Sequence, residues 1–273
     1  MDNKIIGKDD YEEPRCLLDM HPEVNPIPVG RVLDKLDAFL GKNDYDGAAN
    51  HLIYWCGEAD ACNDMRGKLT LLNEQIGLYR KTGKKDECFA AIEGALSLAD
   101  GMGIGQSATY GTTLVNAATG YKAFDKPDLA LPLYRKAQEI YEAVLEKDDS
   151  RLGGLYNNMA LALVDLKEYD AAQGLYYKAI KIMEKQKNGE LEVAITHLNL
   201  ADLVAAKAGL EEGAAEIEQH LKTAEKLLKA DHLPKNGYYA FVCEKCAPVF
   251  GYYGYFATQQ ELDSAAREIY ERS

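Results

Sequence analysis

One pattern constrains this chain more than any other feature. A small residue, three others, a large apolar residue, two others and an alanine recur as Cys88–Ile92–Ala95, Ala130–Tyr134–Ala137 and Ala172–Tyr176–Ala179. Successive occurrences are 42 residues apart. Asn116 and Asn158 keep the same interval, and Asn199 follows 41 residues later. Self-similarity at a period of this length signals stacked supersecondary units, and it outranks any element-by-element reading.

Each period reads as two helices. In "LGGLYNNMALALVDL", Tyr156, Met159, Ala160 and Leu163 fall at the i, i+3, i+4, i+7 spacing of an amphipathic helix. "KEYD" is a polar break, and "AAQGLYYKAIKIMEKQ" carries a second stripe through Ala172, Leu175, Tyr176, Ala179 and Met183. Small residues at 160, 172 and 179 let the two helices approach. One pair cannot bury its own apolar face, so pairs must stack.

The segments "YNNMALALVDLKEYDAAQGLYYKAI", "LVNAATGYKAFDKPDLALPLYRKAQEIYE" and "AITHLNLADLVAAKAGLEEGAAEIEQHLKTAEKLL" resemble the tetratricopeptide repeat in its form of 42 residues, as in kinesin light chains and bacterial peptide-sensing proteins. "NLAD" and "NNMAL" look like its first-helix signature, with alanine where glycine is usual. The resemblance covers residues 29–273 and implies an all-α, right-handed solenoid of about six helix pairs. The units are expected at 29–64, 65–106, 107–149, 150–190, 191–237 and 238–273, after a proline-rich arm at 1–28. The fifth unit is about three residues long in excess near "GLEEG". In the sixth, Pro248 is expected to end or kink a helix, as suits an atypical terminal unit.

In the family, first helices line the concave groove. The resemblance therefore puts Asn116, Asn158 and Asn199 in one row, with Thr119, Lys122, Leu161, Asp165 and Asp202 beside them, and Asn73, Glu74 and Arg80 from the second unit. A carboxamide carries donor and acceptor together and can pair with the backbone of an extended peptide. Asn157 is matched by Val115 and Leu198 in the neighbouring periods and reads as incidental. The alternative role for the row is to bond adjacent helices and set repeat geometry.

Other chemistry is sparse. Cys243 and Cys246 form a CxxC without the second ligand pair that zinc needs, and read as small residues on one helix face. "DGMGIGQS" at 100–107 follows a helix, so it reads as a connector and not a phosphate loop. Five histidines are scattered, and His197 is expected to pack beside the apolar stripe. No catalytic set, cofactor site or metal site is read from the sequence.

The net charge of −13 argues against nucleic acid and anionic membranes as partners. No apolar segment near the start suggests a leader, and no run reaches about 18 apolar residues, so a cytoplasmic protein with reduced thiols is expected. The function expected is non-enzymatic: a bacterial-like scaffold whose groove holds a peptide segment of a partner. The alternatives are a sensor of a small signalling peptide that relays to an effector, and self-assembly through Tyr252, Tyr253 and Phe256 of the aromatic C-terminal unit.

Overall fold

A computed structural model describes residues 25–272. Among them are twelve α-helices and no strand: α1 Val29–Leu40, α2 Tyr45–Ala61, α3 Met65–Lys81, α4 Lys85–Gly101, α5 Ala108–Ala123, α6 Pro127–Val144, α7 Ser150–Asp165, α8 Tyr169–Met183, α9 Glu190–Ala208, α10 Ala214–Leu228, α11 Gly237–Tyr252 and α12 Phe256–Arg272. The fold is all-α, built from six consecutive helix pairs. Two compact units part within α3, the first ending at Glu74 and the second starting at Gln75.

In the first unit, α1 and α2 pack through Val32, Leu36, Ala48 and Leu52. Asp64 ends the turn before α3. Its carboxylate accepts from the backbone N–H of Gly67 at 2.9 Å and of Ile27 at 3.0 Å. One buried acid thus caps a helix and holds residues 25–28, the end of the proline-rich arm, against the α2–α3 turn. The rest of that arm lies outside the described residues.

In the second unit each helix packs on the next from α4 to α10, and α11 packs on α12. The first helices of successive pairs, α5, α7, α9 and α11, also touch in series. The recurring pattern explains why. Ala130, Ala137, Ala172 and Ala179 have no accessible surface, and Tyr134 and Tyr176 fill the space they leave between helices. Small and large residues alternate so that the layers interdigitate at close-packed density.

The turns inside the pairs share one device. Each holds a residue with positive φ: Asn43, Gly83, Asp125, Lys167, Gly209 and Gly254. The middle four are 42 residues apart. In five of the six turns the next residue donates its N–H five residues back, as in Glu168 to Leu163 at 2.8 Å and Lys84 to Tyr79 at 2.9 Å. This is the Schellman closure of a helix C-terminus.

The α9–α10 turn is the exception. Gly209 is extended in ψ (φ 87°, ψ 166°), and residues 209–213 separate the helices. The extra residues of the fifth unit are taken up there. The glycine-rich 100–107 segment joins α4 to α5, with Ser107 capping α5 through the N–H of Tyr110.

Pro248 does not end the helix, because α11 runs through it to Tyr252. Proline removes the N–H that would reach Glu244, yet both residues are exposed. The freed carbonyl faces water, which lowers the cost of keeping the helix.

Candidate functional site

The line of residues read from the repeat is distributed over α5, α7 and α9. Asn116, Asn158 and Asn199 are each half-buried on their helices. Around them the polar groups differ in how far they are already used.

The Asn199 amide donates to Asn157 Oδ1 at 2.9 Å, and the single Thr196 hydroxyl proton lies between Glu192 O at 2.8 Å and the same Asn157 oxygen at 3.2 Å. Asn157 therefore ties α7 to α9. It was read as incidental because neither neighbouring period has an asparagine at its position. The two residues stand 42 apart, the interval that also separates the turn residues Lys167 and Gly209, whereas the row aligns Asn158 with Asn199 over 41 residues and so passes Asn157 by. Asn199 and Thr196 lie three apart on one helix face, which is the signal that could have found the pair. Asn158, the other member of the dipeptide, has no side-chain hydrogen bond among the described residues.

Thr119 on α5 donates to Val115 O at 2.8 Å and meets the Tyr134 hydroxyl at 2.9 Å. One period later the tyrosine persists as Tyr176, but the threonine has become Leu161. The Tyr176 hydroxyl is consequently buried with no partner. Burial, with Asp202 and Asp165 adding to it, pushes this phenol well above its usual range.

Lys122 and Asp165 form an ion pair at 3.4 Å between α5 and α7. Asp202 on α9 accepts from Tyr253 at 2.8 Å, and burial raises its carboxyl above the ordinary range. Arg80, at the end of α3 in the second unit, is exposed. Asn73 and Glu74 belong to the first unit. There Asn73 donates to Leu69 O at 2.8 Å, and burial, with Asp37 nearby, raises Glu74.

The sixth unit supplies a residue that the row omitted. Phe241 stands on α11, the first helix of the sixth pair, which touches α9. It is half-exposed and stacks on Tyr238, with ring centroids 6.3 Å apart and planes at 26°. Tyr238 in turn donates to Glu192 of α9. No repeat interval points to it, because the fifth unit is lengthened and the turn residues Gly209 and Gly254 stand 45 residues apart.

The other sequence candidates fall inside the packing. Cys243 and Cys246 are buried on α11, and burial pushes the Cys246 thiol up to about 12. Among the described residues no group of three His, Cys, Asp or Glu is arranged to hold a metal ion. His197 packs against His220 of α10, Nδ1 to Nδ1 at 2.9 Å. Burial holds His197 down to about 4, with His220 adding to the effect, and burial lowers His220 also.

Comparison with known proteins agrees with this architecture. Residues 153–185 match the model of the tetratricopeptide repeat family. Among solved structures, BtubC (BKLC) from P. vanneervenii is similar at 20% identity and a TM-score of 0.64, over 77% of this chain and 86% of that one. Kinesin-light-chain TPR-like repeats from Podosopora anserina are similar at 17% identity and a TM-score of 0.52, over 74% of this chain and 94% of that one. No curated protein matches. The chain thus has the fold of tetratricopeptide-like repeat proteins, with α7 and α8 forming its clearest repeat. No helix among the described residues is long and apolar enough to cross a membrane.

Two expectations follow. Asn157→Ala removes the acceptor of the half-buried Asn199 amide and should cost about 1–3 kcal/mol, whereas Asn158→Ala should stay within about 0.5 kcal/mol; urea unfolding of the two variants checks the order. The histidine pair sets a pH dependence. Unfolded imidazoles take up protons near pH 6.5, while the folded pair resists until near pH 4 in the case of His197. Stability should therefore be full above pH 6.5 and fall as pH drops from there toward 4. His197→Gln should flatten that slope in urea titrations between pH 7 and 5.

Proposed function

We propose that the chain is a non-enzymatic scaffold that holds an extended peptide segment of a protein partner along the first helices α5, α7, α9 and α11. One observation carries the reading. The Asn158 amide is half-buried and has no side-chain partner, and the exposed Phe241–Tyr238 stack stands on α11, two first helices further along the series α7, α9, α11. An unspent donor and acceptor with an aromatic anchor further along is what an extended backbone with one large side chain requires. The flanking bonds favour rigidity. Asn157 with Asn199, and Lys122 with Asp165, hold neighbouring helices in register, so little ordering cost is left to binding.

This reading narrows the row. Asn199 is engaged in repeat packing, so the ligand contact is assigned to Asn158 and Phe241, with Asn116, Leu161 and Asp202 alongside. Peptides selected from a random display library on the full chain should bind the wild type and lose about three- to tenfold in affinity on Asn158→Ala. Phe241→Ala should cost at least as much. Equal binding to both variants would place the ligand elsewhere.

A second reading rests on a separate surface. Tyr252 and Phe256 are 70% and 64% exposed, and Tyr252 lines, with Leu210, Tyr253 and Tyr255, a cavity of about 540 Å³ that runs over α10. Large exposed aromatics of this kind suit self-association. Light scattering of the purified chain should then give more than a monomer mass, and Tyr252→Asp should lower it. A monomer at high concentration would remove this reading.

A further inference from the structure

Away from the peptide line, α8, α9 and α10 enclose a second cavity, of about 270 Å³. It is lined by Glu184, Glu190, Val193, His197, Thr223 and Leu227. Nothing in the scaffold reading uses it. Its polar groups share one property that a packing defect does not explain.

Every one of them is an acceptor. Glu190 Oε1 is taken by His232 Nε2 at 2.9 Å, but Oε2 is buried with no partner. An orphaned buried carboxylate oxygen is costly and calls for a donor. Glu184 is a second carboxylate, with no side-chain partner among the described residues. Thr223 spends its hydroxyl proton on Gln219 O at 2.8 Å, which leaves only lone pairs on Oγ1.

His197 completes the set through its tautomer. In the Nδ1–Nδ1 contact with His220 one nitrogen donates and the other accepts. The Glu216 carboxylate, 4.0 Å from His220 Nε2, favours the proton on that nitrogen. His220 Nδ1 is then the acceptor, His197 Nδ1 the donor, and His197 Nε2 a bare lone pair. Burial keeps both rings neutral near pH 7.

Two carboxylates, a hydroxyl oxygen and an imidazole nitrogen thus face a small space with no donor among them. The remaining wall, Val193 and Leu227, is aliphatic. Among the described residues no group of three His, Cys, Asp or Glu is arranged to hold a metal ion. An anion would meet two like charges. We propose that this cavity binds a primary ammonium group carried on a short aliphatic chain. The ammonium offers three donors to the acceptors, and the chain lies along Val193 and Leu227. The source is either a free alkylamine or a lysine side chain of a bound protein.

The test titrates the full chain with n-butylammonium chloride at pH 7 and constant ionic strength, read by calorimetry and by amide chemical shifts of Val193, His197 and Thr223. The proposal predicts saturable binding, with butanol and butyrate at least about tenfold weaker. Glu190→Gln is nearly isosteric and should weaken butylammonium about tenfold or more by removing a charge-assisted bond. Glu184→Gln should weaken it less, because that side chain is exposed. Circular dichroism confirms that both variants remain folded.

A further arm uses Nα-acetyl-lysine methylamide. Tighter binding than butylammonium assigns the cavity to a protein-borne lysine, and weaker binding assigns it to a free amine. Three results overturn the proposal: butanol binding as well as butylammonium, an affinity indifferent to Glu190→Gln, or magnesium or zinc displacing the amine from the same residues.

Discussion

The helix pairs depend on how each first helix ends. A residue in the left-handed region follows the last turn, and the next N–H reaches five residues back to close it. This sends the second helix back along the first at a repeatable angle. Where the position is glycine the conformation is free of strain. At Asp125 and Lys167 an L-residue takes it at roughly 1–2 kcal/mol, and the packing of Tyr134 and Tyr176 behind those turns offsets the cost. Because the closures at Asp125 and Lys167 stand 42 residues apart, α5 and α7 fall side by side, and α9 follows them with its own open turn at Gly209.

That surface has two jobs in tension. Polar groups on first helices can bond the neighbouring repeat or remain open to a ligand. The asparagine dipeptide divides them: Asn157 joins α7 to α9, and Asn158 stays unspent. The tyrosines show the same choice from below. Tyr134 finds Thr119, while Tyr176 meets Leu161 and is left with an unsatisfied hydroxyl. A single change at one position of the period converts a satisfied contact into an open one. Such local departures from the repeat are where function has room to act.

Much of the fold was legible because burial repeats with the period. Ala130, Ala172, Tyr134 and Tyr176 announce close helix contacts, and the structure places them at the centre of the packing. The left-handed turn residues were not legible as a class, since Gly, Asp, Lys and Asn fill the same backbone position and share no side-chain chemistry. Pro248 misled because helix propensity speaks for the isolated segment, whereas exposure of the freed carbonyl decides the cost. The candidate site was read by lining up identical positions. That procedure aligned Asn199 with Asn158 over 41 residues, so it passed over Asn157, which stands 42 residues before Asn199 and bonds to it. The acceptor-only cavity near Glu190 was invisible for a related reason. Its members come from three helices with no shared register, and only their spent and unspent hydrogens set them apart.

The central claim is that the line from Asn158 to Phe241 is the surface that takes a partner's peptide. Amide and side-chain chemical-shift mapping of the full chain with a library-selected peptide tests it most directly. The account predicts shifts concentrated on Asn158, Leu161, Asp202, Tyr238 and Phe241, with the Asn157–Asn199 bond preserved. Shifts confined to Tyr252, Phe256 and the α10 surface would contradict it.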